Sequence, residues 1–160
     1  NNRDMLKGYA ELGRELLAQS TAPIDVFCAA VGTAGMLMGT AQALKAGDAK
    51  IRIVAFEPAS SPVIAAGKAG THHVEGIGTS FVPPLYDKAL VDDVRPIDEA
   101  EAREMARRLA REEGIFTGIS SGLNVVGALQ LARELGSGHT VVTVAVDSGL
   151  KYLAGDLYEF

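Results

Sequence analysis

The chain has 160 residues, of which 48% are hydrophobic, 22% are charged and one is cysteine, and its net charge is −5. This length and apolar content suit one folded domain or a large part of one. The absence of a basic cluster and of any bilayer-length apolar run argues against nucleic-acid and membrane roles. The single cysteine, Cys28, excludes an internal disulfide and is expected to be buried, and without a signal-peptide pattern we expect a cytoplasmic protein.

Apolar runs and amphipathic segments alternate along the chain. Spacing near 3.6 residues indicates helices, and short unbroken apolar runs indicate strands that are buried on both faces. Asn2 or Asp4 is the expected cap of the first helix, and Asp98 that of the fourth. Helices are predicted at 2–19, from the first glycine turn to residue 46, and at 61–66, 99–112, 123–135 and 150–160. Strands are predicted at 24–31, 51–56, 91–97 and 140–146. The alternation predicts a single three-layer α/β/α domain over residues 1–160, with a mainly parallel sheet.

The glycine turn after the first strand is the strongest local signal of a binding site. Gly32 and Gly35 allow the backbone to turn sharply and to approach a ligand closely. The helix that follows directs free N–H groups and the positive end of its dipole at the same place. Strand, turn and helix therefore predict an anion site, most often one for a phosphate. A dinucleotide and the phosphate of a smaller cofactor are both compatible with it.

The dinucleotide interpretation depends on a loose glycine spacing and one acid. Gly32, Gly35 and Gly39 provide the spacing, and Glu57 ends the second strand where a ribose-binding acid would lie. The strict fingerprint is broken, because Ala34 occupies its second glycine position. The glycines are also compatible with a purely structural role, in which they allow tight packing of strand against helix.

Later segments hold three further features. Residues 67–84 form a long glycine- and proline-rich connection, which is typical of a functional or mobile loop. Its adjacent histidines, His72 and His73, cannot share a face of a regular element, so we interpret them as loop residues rather than metal ligands. A second glycine turn covers 118–122, and Ser148 follows the last strand. Since ligands bind beyond the carboxyl ends of parallel strands, these turns are expected to converge on one cleft.

Five motifs, in order along the chain, resemble pyridoxal-phosphate enzymes of fold type II, in the cysteine synthase and cystathionine β-synthase branch. The first is VGTAGM, which is similar to the family's phosphate-cup motif, and FEPASSPV follows the next strand. GKAGTHHVEGIG resembles the family's active-site loop without a gap. GISSG and DSGLKYL resemble its later turn and its C-terminal motif. The motifs lie at 31–36, 56–63, 67–78, 118–122 and 147–153.

This resemblance implies a role for each matching residue. Backbone N–H groups of the turn, with the Thr33 hydroxyl, would bind the phosphate of pyridoxal 5'-phosphate. Ser148 would hydrogen-bond the pyridine nitrogen, although it is also compatible with simple capping of the last helix. Gly76 and Ile77 would line the cleft near the amino group of the substrate. The phosphate-binding residues would be Gly32, Thr33, Ala34, Gly35 and Met36.

Two positions of the turn depart from the family pattern. The family usually has glycine where this chain has Ala34 and a hydroxyl residue where it has Met36. Ala34 places a Cβ where the backbone is expected to need a positive φ. Met36 removes one hydrogen bond to the phosphate. Phosphate affinity or substrate choice is therefore expected to differ from that of typical members.

The resemblance also implies an activity that depends on sequence outside this chain. Such enzymes release a leaving group from serine or an O-activated serine, then add sulfide or a thiol to give cysteine or a thioether amino acid. None of the lysines here has the sequence surroundings of the family's Schiff-base lysine, so no catalytic residue is assigned. The resemblance implies that this lysine lies in a missing N-terminal domain and that the parent enzyme is a homodimer.

Three other functions stay open on the sequence alone. A dinucleotide-binding domain would be stabilised by NAD through Glu57. A non-catalytic module would bind a partner through the face that the missing half covers. A serine or threonine dehydratase-like enzyme of the same fold would deaminate hydroxyamino acids without a thiol acceptor.

Overall fold

The structure is a computed structural model and describes residues 3–159. A four-stranded parallel sheet forms its middle layer. The strand order is β3-β2-β1-β4, and each neighbouring pair is parallel. The strands are β1 Val26–Ala30, β2 Arg52–Pro58, β3 Asp93–Ile97 and β4 Val141–Val142. The helices are α1 Asp4–Gln19, α2 Gly35–Gly47, α3 Val63–Ala66, α4 Glu99–Glu112 and α5 Ile119–Leu135, with short 3₁₀ turns at Lys88–Leu90 and Gly149–Tyr152.

Helices cover both faces of this sheet. Along β1, Val26 and Cys28 pack towards α4 and α5, whereas Phe27 and Ala29 pack towards α1 and α2. Every residue of β1 is buried, which explains why its sequence is an unbroken apolar run. The prediction of a three-layer α/β/α fold with a mainly parallel sheet is confirmed.

Helices α1 and α2 pack closely because glycines lie where they meet. A Cβ at Gly39 would lie 2.6 Å from both the Leu6 carbonyl oxygen and the Tyr9 Cβ. A Cβ at Gly13 would lie 2.7 Å from the Thr40 carbonyl oxygen. Gly39 therefore serves the packing of helix against helix, whereas the structural role considered from the sequence was the packing of strand against helix.

The N-termini of α4 and α1 show whether the predicted capping residues act as caps. Helix α4 has the predicted bounds, and the Asp98 carboxylate accepts the Glu101 N–H at 3.0 Å, so this cap is confirmed. Helix α1 begins at Asp4, and the residue at its N-cap position is Arg3, whose side chain makes no capping hydrogen bond. Asp4 is therefore not the cap, and Asn2 lies outside the described residues.

The predicted last strand at 140–146 is wrong beyond its first residues, since β4 is only two residues long. The backbone past β4 is bound by side chains of α5 instead of by β1. The Asn124 side-chain amide donates to the Val144 carbonyl at 2.9 Å, and the Ser121 hydroxyl oxygen accepts the Val146 N–H at 2.8 Å. These bonds replace a strand ladder, and apolar patterning does not reveal them.

Two further boundaries differ from the prediction. The GISSG segment at 118–122 is not a separate turn, because α5 already begins at Ile119. Its last glycine lets α4 approach, since a Cβ at Gly122 would overlap the Ala102 carbonyl oxygen. The predicted terminal helix at 150–160 is wrong over 150–159, where a short 3₁₀ turn is followed by irregular chain, and Phe160 lies outside the described residues.

The irregular C-terminal chain is held against α4. The Arg107 guanidinium donates to the Leu157 carbonyl at 2.7 Å, and the Tyr158 hydroxyl donates to the Thr117 carbonyl. The side chain of Leu157 is 1% exposed. These tertiary contacts, rather than helical hydrogen bonds, fix the end of the described chain.

Candidate functional site

Residues 32–36, which comprise the end of the turn after β1 and the first two residues of α2, lie beyond the carboxyl end of β1 and are called the cup below. Ala34 stands at the N-cap position of α2 with φ 67° and ψ −7°, in the left-handed region. Among residues 3–159 it is the one non-glycine residue with a positive φ. The expectation that position 34 needs a positive φ is therefore confirmed.

The cup offers backbone donors without a charged side chain. Within the described chain, the N–H groups of Thr33, Ala34 and Met36 donate to no protein acceptor. The Gly35 N–H reaches only the Thr33 hydroxyl oxygen, at a long 3.4 Å. Together with the positive end of the α2 dipole, these groups provide the donors and the positive potential that an anion site requires.

The glycine-rich loop, residues 67–84, docks directly on the cup. The Gly78 N–H donates to the Val31 carbonyl at 3.1 Å, next to the first residue of the cup. A Cβ at Gly32 would overlap the Gly76 carbonyl oxygen. Gly32 is therefore required here for close approach of two backbones, in addition to any approach of a ligand.

A cavity of about 420 Å³ lies between the cup, the loop and the segment after β4. This volume falls within the range of about 300–1,000 Å³ that is usual for small-molecule sites. The cavity brings together the predicted cup and the predicted substrate-contacting residues, Gly76 and Ile77. Tyr9 and Leu12 of α1 also line it, and the remaining lining includes residues 144–146. None of the described lining residues is a lysine or carries a charge.

Ser148 follows two residues after Val146, which lines the cavity, but is not itself among the lining residues within the described chain. Its hydroxyl oxygen accepts the Leu150 N–H at 3.3 Å, as an N-cap of the last 3₁₀ turn. The backbone on either side of it is anchored, because the Thr117 hydroxyl donates to the Asp147 carbonyl at 2.9 Å and the Gly149 N–H donates to the Phe116 carbonyl at 3.0 Å. The capping role is therefore present, and contact with a ring nitrogen stays a prediction.

Glu57 does not have the role that a dinucleotide site would give it. Its side chain is buried, and its carboxylate oxygens accept the N–H groups of Ile64 and Ala65, each at 2.8 Å. Both oxygens thus bind the N-terminus of α3. The acid that the dinucleotide interpretation requires for a ribose is already occupied.

The two adjacent histidines point to different partners. His72 Nε2 lies 2.8 Å from the Gly78 carbonyl oxygen within the loop, whereas His73 Nδ1 lies 3.5 Å from the Glu99 carboxylate. Across residues 3–159, no group of three or more His, Cys, Asp and Glu side chains is arranged to hold a metal ion. In the same residues, no helix combines the length and apolar character needed to cross a membrane.

Asn124 is a site-supporting residue that sequence reasoning missed. It is completely buried, and its Oδ1 accepts the Ala30 N–H at 2.7 Å while its Nδ2 donates to the Val144 carbonyl. It therefore ties the end of β1, beside the cup, to the segment that lines the cavity. The available signal was an amide side chain within the apolar stretch LNVVGAL of this helix, two residues after Gly122.

Comparisons with known proteins agree on one family. A family model described as pyridoxal-phosphate dependent enzyme matches residues 1–147. A cysteine synthase from Staphylococcus aureus is 45% identical over 149 residues, which are 92% of this chain and 48% of that protein. An O-ureido-L-serine synthase from Streptomyces lavendulae is 38% identical over 136 residues, which are 85% of this chain and 42% of that protein.

Solved structures give the same result. The crystal structure of O-acetyl serine sulfhydrylase isoform 3 from Entamoeba histolytica superposes with a TM-score of 0.94 at 34% identity. The match covers 99% of this chain and 48% of that one. The chain thus spans about half the length of the curated relatives that it matches.

Proposed function

The chain belongs to the family of pyridoxal-phosphate dependent enzymes, and on that premise we propose that residues 1–160 are the cofactor-phosphate-binding domain of a β-replacement enzyme. The complete polypeptide replaces the leaving group of serine or an O-activated serine with sulfide or a thiol. Similarity to a cysteine synthase, an O-ureido-L-serine synthase and an O-acetyl serine sulfhydrylase supports this reaction class.

The observation that carries this proposal is the uncharged cup with its unpaired N–H groups. A phosphate fits there because the backbone of Thr33, Ala34 and Met36 provides donors and the N-terminus of α2 provides positive potential. The absence of a side chain at Gly32 keeps the loop and the cup in contact. The residues that hold the cofactor phosphate are Gly32, Thr33, Ala34, Gly35 and Met36.

Other residues orient the reacting groups. Pyridoxal phosphate, when bound, acts as an electron sink that labilises bonds at the α- and β-carbons of an amino acid. Gly76 and Ile77 bind near the substrate amino group, and Ser148 hydrogen-bonds the ring nitrogen. A neutral hydroxyl at Ser148 leaves the cofactor a weaker electron sink than a carboxylate would, which suits replacement at the β-carbon. The Schiff-base lysine comes from outside this chain.

Assembly and location form part of the same proposal. The complete polypeptide is a homodimer, as the family resemblance implies. The reaction takes place in the cytoplasm, a location suggested by the single cysteine, Cys28, which is unpaired and buried.

The test uses the complete polypeptide supplied with pyridoxal phosphate, O-acetyl-L-serine and sulfide. We expect cysteine formation that requires the cofactor and both substrates. A parallel reaction without sulfide measures keto-acid release. Release of keto acid at the same rate with and without sulfide would instead support a dehydratase-like enzyme. Failure of both reactions in a cofactor-loaded polypeptide would support a non-catalytic module.

A further inference from the structure

We propose that His72 is a positioning residue that locks the glycine-rich loop in the shape that presents Gly76 and Ile77 to the cavity. Three hydrogen bonds carry this inference, and they connect His72 to the loop and the loop to the cup. Its consequence for substrate binding rests on the proposed function, whereas the geometry of the loop does not.

The partners of His72 determine which ring nitrogen bears the proton. Nδ1 lies 3.3 Å from the Val74 backbone nitrogen, which can only donate, so Nδ1 is an unprotonated acceptor. Nε2 lies 2.8 Å from the Gly78 carbonyl oxygen, which can only accept, so Nε2 carries the proton and donates it. A neutral imidazole thus uses both nitrogens to bridge two points of one loop.

The bridge matters because Gly78 is also the point where the loop meets the cup. Its carbonyl is bound by His72, and its N–H donates to the Val31 carbonyl at 3.1 Å. Gly76 and Gly78 both adopt positive φ, at 80° and 65°. Residues 67–87 form no α-helix or strand, so the loop has no ladder of its own to maintain this shape. The imidazole provides an internal cross-link in its place.

The neighbouring histidine offers a matched control. The His73 side chain is 77% exposed, and its one polar partner among the described residues is the Glu99 carboxylate, at 3.5 Å. Its backbone N–H also donates to Glu99, and this bond is retained when the side chain is removed. His73→Ala therefore removes the same side chain as His72→Ala but leaves the loop cross-link intact.

The kinetic experiment uses the complete, cofactor-loaded polypeptide with variants that separate the two hydrogen bonds. His72→Gln retains a donor near the Nε2 position, and His72→Asn retains an acceptor near the Nδ1 position. We expect His72→Asn to raise the KM for the amino-acid substrate about fivefold, His72→Gln less, and His72→Ala about tenfold or more. The kcat should change less than about twofold, because ground-state and transition-state binding are weakened alike. His73→Ala should change neither constant.

A second readout does not depend on activity. In the ¹⁵N NMR spectrum at neutral pH, we expect Nδ1 of His72 to be pyridine-like and Nε2 to be pyrrole-like. In His72→Ala, hydrogen exchange should accelerate at the amides of Val74 and Gly78. A protonated Nδ1, or a His72→Ala variant that matches His73→Ala in exchange and KM, would overturn the inference. If the spectra show the expected tautomer and the exchange rates change as expected, but the polypeptide has no β-replacement activity, the loop cross-link is supported and the proposed function is wrong.

Discussion

Ala34 carries backbone strain at the centre of the cup. Its φ of 67° lies in the left-handed region, where a Cβ costs about 1–2 kcal/mol relative to a right-handed conformation. Glycine adopts this region freely, although it loses more entropy on folding. The strain is therefore a property of one methyl group, but this group is 3% exposed and packs in the core on the α1 and α2 side of the sheet, so its removal also loses some packing.

We predict that Ala34→Gly raises the free energy of unfolding by up to about 1 kcal/mol, because the relieved strain exceeds the packing lost with one buried methyl group. Denaturant unfolding of the variant and the parent measures this change. Ala46→Gly is the control, because Ala46 is exposed within α2 and glycine should there lower stability by about 0.5–1 kcal/mol. Loss of stability in both variants would contradict the strain assigned to Ala34.

Cys28 is a buried thiol whose ionisation is suppressed by the fold. It is completely buried, its Sγ–H donates to the Val142 carbonyl at 3.5 Å, and burial raises its pKa from 9.0 to about 12. Above pH 9 the unfolded thiol loses its proton while the folded thiol retains it. The unfolded state then binds fewer protons, so stability falls as pH rises from about 9 towards 12.

We predict that the parent protein loses up to about 1.4 kcal/mol of unfolding free energy per pH unit in this window through Cys28. The variant Cys28→Ala should lack this contribution, so the difference between parent and variant is flat below pH 8 and changes above pH 9. Denaturant unfolding from pH 7 to pH 10.5 measures both proteins. Parallel curves over the whole range would exclude a buried, neutral thiol.

At the scale of elements, α5 holds the sheet together where strand pairing ends. Asn124 accepts from Ala30 and donates to Val144, so one amide replaces two ladder hydrogen bonds beside the cavity. Because Asn124 is completely buried, a substitution that removes one of its hydrogen bonds leaves a backbone group with no protein or water partner. Substitutions at this position are therefore expected to act on β1 and on the lining of the cavity together.

We predict that Asn124→Asp lowers the free energy of unfolding by at least about 2 kcal/mol at pH 7, because a carboxylate cannot donate to Val144 and is buried with a charge. Burial raises the carboxyl pKa in the folded state, so the folded state binds the extra proton more tightly. The deficit should therefore shrink as pH falls towards 4, where the protonated acid can donate. Gln42→Glu, at an exposed position of α2, is the control and should change stability by less than about 0.5 kcal/mol. A deficit that is independent of pH would contradict the assigned bonds.

Elements with local signals were predictable from the sequence. Helix α4 was recovered with its bounds and its Asp98 cap, because amphipathic spacing and capping chemistry are encoded within the segment. The end of β4 was not recovered, because side chains of α5 decide it from more than fifteen residues away. Similarly, GISSG is typical of a turn, but its last four residues belong to α5, where Gly122 lets α4 pack against the first helical turn.

At the scale of the whole molecule, the candidate site was predictable in part. The cup and the residues Gly76 and Ile77 were identified from a resemblance, and the structure places them on one cavity. The contact between Gly32 and Gly76 could not be predicted from the sequence, because Gly76 lies in a loop that has no periodic pattern. The cross-link by His72 was missed for the same reason, since a histidine in a loop has no local signature.

At the same scale, the proposed reaction requires a Schiff-base lysine in addition to a phosphate site. The described residues that line the cavity include no lysine, and the chain spans about half the length of its curated relatives. We therefore propose that this half binds the phosphate and that residues outside it carry out the covalent chemistry. The central claim of this proposal is that the cup recognises the phosphate of the cofactor.

The most direct test is the dissociation constant of pyridoxal 5'-phosphate, measured beside that of pyridoxal, for the complete polypeptide and two glycine variants. Gly32→Ala adds a Cβ that overlaps the Gly76 carbonyl, whereas Gly8→Ala adds the same group in open space on α1. We predict that the parent and Gly8→Ala bind the phosphate ester far more tightly than pyridoxal, and that Gly32→Ala loses at least about tenfold in affinity for the ester alone. Equal affinity of the parent for the two compounds, or an unchanged Kd in Gly32→Ala, would contradict phosphate recognition by the cup.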